Sequence, residues 1–297
     1  MAGAATDDGQ LRASNHRLKR IRRLLSSRRA RFEERAFVVE GPSMVAEALA
    51  AASAGGGLRI EALFLEPGAS PVLASQADAL GVAVHAVAPG VLKVVLDTVN
   101  PQPVAVVASR DPAVLGDLGR TGTVLCLVEA RDPGNVGTLI RTAEASGAVG
   151  VVLAGSSVDP TNPKALRASA GAGLRLPVVV APETDLALAE LASSRTMAAT
   201  VVEPGGVPYD QVSLADAAIV LGNETHGLPA AVVARADLAV TIPFAGPTES
   251  LNVAAAGAVL CFEALRQRRA AAGSAADTRP GTENPLDTPR RTRQVWC

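Results

Sequence analysis

Three short stretches gather polar side chains and glycines directly behind apolar runs. After the apolar segment 123–128 comes Glu129-Ala130-Arg131-Asp132-Pro133-Gly134-Asn135-Val136-Gly137, and Arg141 stands six residues beyond Asn135. The apolar run ending at Leu221 leads into Gly222-Asn223-Glu224-Thr225-His226-Gly227, and Val240-Thr241-Ile242-Pro243 leads through Gly246 and Pro247 to Ser250-Leu251-Asn252. Together an amide, a carboxylate, a hydroxyl and a guanidinium can hold a ligand through directional hydrogen bonds and charge. Glycines at such turns let the backbone approach a ligand closely. Each loop alone also has a plainer account, with Asn135, Ser250 and Asn252 as helix caps and Arg141 as a surface arginine. A dinucleotide-binding turn would use glycines too, but GxGxxG is absent and no acidic ribose binder stands at the expected distance. Capping alone does not account for three strand-to-loop turns of the same character in one sheet.

These loops need a frame. From residue 123 onward the apolar periodicity predicts strands at 123–128, 149–153, 178–180, 196–201 and 218–221, with helices at 135–146 and 163–172. Such alternation implies a mostly parallel sheet covered on both faces. A final helix over 250–268 carries Leu251, Ala255, Ala258, Val259, Phe262 and Leu265 at helical spacing, a stripe for packing within the subunit or across a dimer. Upstream, a basic helix over 17–30, strands at 36–40, 60–65, 82–87 and 104–108, and helices at 43–52, 71–80 and 89–97 describe a smaller αβ module. The expected organisation is a disordered 1–14, a first domain 15–110, a turn-rich linker 111–121, a second domain 122–270, and a disordered tail 271–297 whose composition cannot offset its ordering entropy.

With 297 residues, 48% of them hydrophobic, the chain can bury a core in each of two domains. No apolar run approaches the roughly 20 residues of a membrane span, and the start lacks a signal-peptide core, so a cytoplasmic protein is expected. Cys126 and Cys261 are read as core residues. The three cysteines and His16, His85 and His226 are too scattered for a disulfide framework or a zinc site, and no metal is expected. The net charge of −1 argues against nucleic acid, but its distribution does not. Between residues 12 and 35 stand Arg12, Arg17, Lys19, Arg20, Arg22, Arg23, Arg28, Arg29, Arg31 and Arg35, opposed only by Glu33 and Glu34. This is either a solvated helix face or a phosphate-tracking surface, with Arg17, Lys19, Arg20, Arg22, Arg23, Arg28 and Arg29 as candidate RNA contacts. Aromatic residues make up only 2% of the chain, so recognition of RNA would rest on arginine, backbone and shape more than on many stacked bases.

In order and spacing the three loops resemble the motifs of the SpoU, or TrmH-like, branch of the SPOUT RNA methyltransferases. Asn135 with Arg141 is similar to the first motif, Gly222-Asn223-Glu224 to the second, and Ile242-Pro243 with Ser250-Leu251-Asn252 to the third, over residues 123–268. The resemblance implies an α/β fold: a C-terminal SPOUT-type parallel-sheet domain with a deep trefoil knot, preceded by a smaller αβ ribosomal-protein L30e-like domain in which Phe37-Val38-Val39-Glu40-Gly41 is the most recognisable piece. It further implies a homodimer with the site near the subunit interface. S-adenosylmethionine would be held in a bent shape around Leu221, Gly222, Asn223, Ile242, Pro243 and Leu251. The implied reaction is methylation of a ribose 2′-hydroxyl, in 23S ribosomal RNA ahead of transfer RNA; a non-catalytic ribosome-assembly factor on the same fold is the alternative. Arg141 would be the catalytic arginine, either stabilising the oxyanion or accepting the proton with help from an RNA phosphate. Asn135 and Glu224 would orient the ribose, and Ser250 and Asn252 would hold the third loop. No metal is required, because the sulfonium already activates the leaving group.

Overall fold

A computed structural model describes residues 9–96, 102–202 and 205–276. The first domain comprises α1 (His16–Ser26), α2 (Arg28–Glu34), β1 (Ala36–Glu40), α3 (Pro42–Ser53), β2 (Leu58–Leu65), α4 (Pro71–Ala79), β3 (Ala83–Ala86), α5 (Val91–Val95) and β4 (Val104–Arg110). Its sheet runs β1-β4-β2-β3, antiparallel except for the β2–β3 pair. Alternation along β1 sends Ala36 and Val38 toward Leu18, Ile21 and Leu24 of α1, and Phe37 and Val39 toward Val45 and Leu49 of α3, so both faces are buried.

The basic segment expected as one helix is two. Ser27 leaves helical backbone (φ −118°, ψ 111°), and its hydroxyl accepts from the Ala30 N–H at 3.2 Å, capping α2. Disorder expected over 1–14 does not extend to residues 9–14. Leu11 is buried and bridges Val87, and Asn15 caps α1 by accepting from the Arg17 N–H at 2.9 Å. Residues 1–8 lie outside the described residues.

The second domain comprises β5 (Val124–Val128), α6 (Pro133–Ala145), β6 (Gly150–Ala154), α7 (Pro163–Ala168), β7 (Val178–Ala181), α8 (Thr184–Ala192), β8 (Met197–Thr200), β9 (Val207–Pro208), β10 (Ala218–Leu221), α9 (Ala230–Val233), β11 (Leu238–Thr241) and α10 (Val253–Ala276). All seven strands are parallel, in the order β7-β6-β5-β10-β8-β11-β9. Helices cover both faces: α6 and α10 enclose one core with Leu125, Leu127 and Ile219, and α8 closes the other with Cys126, Val152 and Val220. Burial pushes the thiols of Cys126 and Cys261 up to about 12 and about 11, as suits inert core residues.

The stripe read along the last helix is not what packs within the subunit. Ala254, Gly257, Leu260, Cys261 and Ala264 of α10 face the core, whereas Ala255 is exposed, Leu251 is 40% exposed and Phe262 48%. α10 continues through Ala276; residues 277–297, with the rest of the expected disordered tail, lie outside the described residues.

The domains are closely fastened. Leu166 and Leu174 of the second domain join the α3 core of the first. Arg31, 4% exposed, pairs with Asp159 (14% exposed) at 2.7 Å, and it also donates to the Leu24 and Leu25 carbonyls at 2.7 and 3.2 Å. Arg167 pairs with Glu40 at 2.6 Å, and Arg175 bridges Glu47 and Glu144. The segment expected as a linker, 111–121, lies on the second domain, with Leu118 buried and Ala113 bridging Val179.

Candidate active site

Because the strands are parallel, their carboxyl ends lie on one edge, where ligands of open α/β sheets bind. The ends of β8, β10 and β11, with the loops behind them, enclose a cavity of about 680 Å³, within the size range of small-molecule sites. Of the residues proposed from sequence to hold a cofactor, Leu221, Gly222, Asn223, Ile242 and Leu251 line it. Pro243 does not; its neighbour Phe244 does. Thr200, Val201 and Val202 also line it and were not singled out, although Glu203-Pro204-Gly205-Gly206 stand directly behind them in the sequence.

Two glycines on the way to this cavity have structural reasons of their own. A Cβ at Gly222 would meet the Gly227 carbonyl carbon at 2.2 Å and the Leu228 nitrogen at 2.3 Å, so the bare backbone makes room for the loop to fold back on itself. Asn223 and Gly227 exchange backbone hydrogen bonds of 3.1 and 2.9 Å to close that loop. The Asn223 side chain locks it, donating to the Glu129 carbonyl at 2.8 Å and accepting from the Thr225 N–H at 2.8 Å. Glu129 sits at φ +55°, a rare conformation for a side-chain-bearing residue, pinned between that bond and its own N–H donation to Ala154. A Cβ at Gly257 would lie 2.2 Å from Leu139 Cδ2, so its absence lets α10 pack tightly on α6.

Packed in this way, the two helices bring their N-terminal ends together. Asp132 caps α6 by accepting from the Asn135 N–H at 2.8 Å, and Asn252 caps α10 by accepting from the Ala254 N–H at 2.8 Å. Their amides then meet: Asn252 Nδ2 donates to Asn135 Oδ1 at 3.3 Å, and Asn135 Nδ2 donates to Glu224 Oε1 at 3.3 Å. Capping and site geometry are therefore served by the same Asn252 side chain. The Glu224 carboxylate stands near two positive helix ends. A second cavity, lined by Glu129, Arg131, Asp132 and His226, opens on the other side of Asn135, Asn223 and Glu224.

Ser250 lines the cofactor-sized cavity and is exposed. Arg141 is not brought to this cluster. Six residues along α6 carry it about 9 Å along the axis and about 120° round from Asn135. It is exposed, with no hydrogen-bond or ion-pair partner among the described residues. On α1 and α2, Arg17, Lys19, Arg22, Arg23, Arg28 and Arg29 are exposed. Arg20 is half-buried and held by Glu34 and Glu61, each at 2.6 Å. Among the described residues no cluster of His, Cys, Asp and Glu is placed to hold a metal, and no helix is long and apolar enough to cross a membrane.

The donor set suits a sulfonium nucleoside. The cavity offers apolar walls from Leu221, Val240, Ile242, Leu251 and Leu260 and backbone amides at three strand ends, and no lysine or arginine lines it. The acidic Glu224 at its mouth favours a cationic centre. A seven-stranded parallel sheet with a cavity at its carboxyl edge defines an open α/β ligand-binding domain, here joined to a smaller αβ module. The model of the SpoU rRNA Methylase family matches residues 122–262, and that of the MRM3-like substrate binding domain matches residues 15–106. The 23S rRNA (guanosine-2′-O)-methyltransferase RlmP of Bacillus subtilis is 30% identical over 84% of this chain and 96% of its own. An AdoMet-bound rRNA methyltransferase from Sinorhizobium meliloti superposes with TM-score 0.76 at 31% identity, covering 87% of this chain and 97% of that one. The SpoU methyltransferase AviRb from Streptomyces viridochromogenes, in complex with AdoMet, gives 0.74 at 27% identity over 86% and 100%. The chain belongs to the SpoU rRNA methylase family.

Proposed function

We propose that this protein transfers a methyl group from S-adenosylmethionine to a ribose 2′-hydroxyl of 23S ribosomal RNA. The observation that carries this is the Asn252–Asn135–Glu224 hydrogen-bond chain at the mouth of a cavity free of lysine and arginine, in a member of this family. S-adenosylmethionine, when bound, supplies a methyl group already activated by its sulfonium. Leu221, Gly222, Asn223, Ile242 and Leu251 are the residues assigned to hold it, with Phe244 in place of Pro243. Asn135 and Glu224 orient the attacking ribose, and Ser250 and Asn252 fix the third loop. The Arg141 guanidinium stabilises the oxygen as its proton leaves. Because Arg141 stands clear of its own subunit's cluster, we assign it to the site of a second copy. The exposed Ala255 and Phe262 on α10 belong to the dimer face that would bring it there. Residues 15–110 hold the RNA and 122–270 carry the transfer, with a trefoil knot around the loops after β10 and β11 and a cytoplasmic location. Ribosomal RNA is preferred to transfer RNA because the Bacillus relative, aligned along nearly its whole length, acts on 23S rRNA.

The test is transfer of labelled methyl to purified 23S rRNA, 16S rRNA and transfer RNA, followed by nucleoside analysis, with wild type and Arg141→Ala. A 2′-O-methylnucleoside in 23S rRNA, lost by at least about 100-fold in a variant that melts normally, is expected. A methylated base, or transfer RNA as the only substrate, overturns the assignment; cofactor binding without transfer to any RNA points to an assembly factor.

A further inference from the structure

Most aromatic side chains of this chain have an evident task. Phe37 and Phe64 are in the first domain's cores, Tyr209 packs on the second domain's core, Phe244 lines the cavity, and Phe262 lies on the exposed stripe of α10. Phe32 has none within the subunit. At 81% exposed it is the most exposed large apolar side chain among the described residues, and a ring left in water forgoes the stabilisation that burial would give.

Its setting is cationic. On α2, Arg28 and Arg29 precede Phe32 by four and three residues and share its side of the helix. Arg28 has no acceptor among the described residues, and Arg29 pairs only with the exposed Glu33. Arg35, three residues on, is exposed and meets Asp111 at 3.3 Å. The helix itself is held rigidly: the adjacent Arg31 is buried and tied to Asp159 and to the Leu24 and Leu25 carbonyls, which fixes the rotation of α2 and points Phe32 outward. A protein partner would call for apolar neighbours around the ring; the residues on this side are arginines, with Glu33 and Asp111 already paired. A presented ring flanked by guanidinium groups matches a single-stranded segment of nucleic acid, whose bases offer a π-face and whose phosphates take the arginines.

We propose that Phe32 is a stacking platform for one unpaired base of the RNA substrate, with Arg28 and Arg29 on the flanking phosphates. This rests on the assignment of the first domain to RNA binding. Dissociation constants of the full chain for protein-free 23S rRNA and for a fully paired RNA duplex test it. Phe32→Ala should weaken binding to 23S rRNA by about fivefold to about 150-fold while leaving duplex binding, melting temperature and cofactor affinity unchanged. Phe32→Trp should retain affinity, and Phe32→Leu, apolar but without a π-face, should lose it. Wild-type binding by Phe32→Leu, or equal losses on duplex and 23S rRNA, overturns stacking. A change in the sedimentation of the free protein would instead place the ring against a second copy. Charge reversal at Arg28 and Arg29 separates the two levels: if it weakens RNA binding while Phe32→Ala does not, only stacking fails, and if neither matters the RNA-binding role of the domain fails.

Discussion

Gly137→Ala tests whether the site depends on how closely α6 approaches α7. A Cβ built at Gly137 lies 2.3 Å from the Ala165 carbonyl oxygen, 2.6 Å from Ala168 Cβ and 3.0 Å from the Ser169 nitrogen. Those neighbours are backbone or the shortest of side chains, so none can rotate away. Ordinary contact begins near 3.4 Å, and relief requires the helices to separate by about 1 Å. α7 is fastened to the first domain through Leu166 and the Arg167–Glu40 pair, so α6 must move, carrying Asn135 with it. The Asn135 bonds to Glu224 and Asn252 are already 3.3 Å long, and a further ångström breaks both. Overpacking costs about 1–3 kcal/mol, offset by about 1 kcal/mol from the better helix propensity of alanine. The variant should therefore melt only a few degrees low, while kcat for methyl transfer falls by about 100-fold through misplacement. The comparison is Gly116→Ala, where the added carbon meets nothing within 4 Å. A Gly137→Ala enzyme with wild-type kcat and melting temperature would refute the reasoning, since it would show that α6 can shift without disturbing the site.

Asn252→Asp keeps the oxygen that caps α10 and removes the amide that reaches Asn135, so it should melt like wild type yet lose most activity, whereas Asn252→Ala should also lose about 1 kcal/mol of stability; equal melting losses in the two variants would contradict the dual role. For Glu34, burial alone would raise the carboxyl, but hydrogen bonds from Arg20 and Arg23 and their charges outweigh it and hold it below its ordinary value of 4.5. A carboxyl lowered in the folded state stabilises the fold above its unfolded pKa, and that contribution fades as pH falls through the lower folded value. Glu34→Gln should thus cost about 1 kcal/mol at pH 7 in thermal or urea melts, with the gap closing below about pH 4; a constant offset down to pH 3 would rule this out.

The three loops were legible because each combines an apolar strand with glycine and a chemically distinctive residue, and Asn135, Glu224 and Asn252 do converge. What joins them was not. The Gly137 and Gly257 contacts are long-range packing events, and nothing local distinguishes those glycines from helix-weakening ones. The inward face of α10 was not legible because Ala, Gly, Val and Leu surround the helix, leaving periodicity little contrast between Ala254–Leu260–Cys261 and Ala255–Val259–Phe262. The break at Ser27 hides in a run of arginines that are good helix formers on either side. Strand order was equally hidden, since β8 and β11 pair across intervening segments rather than with their sequence neighbours.

The Arg31–Asp159 bond and the packing of Leu166 and Leu174 into the α3 core fasten the two domains to each other. Under the proposed function, the place where RNA is gripped and the place where it reacts are therefore a fixed span apart, as on a caliper. Among thousands of chemically alike riboses in a folded ribosomal RNA, the one chosen would be the one whose tertiary structure presents it at that span from the anchored strand. The segment 155–162, which carries Asp159, would then set the gauge.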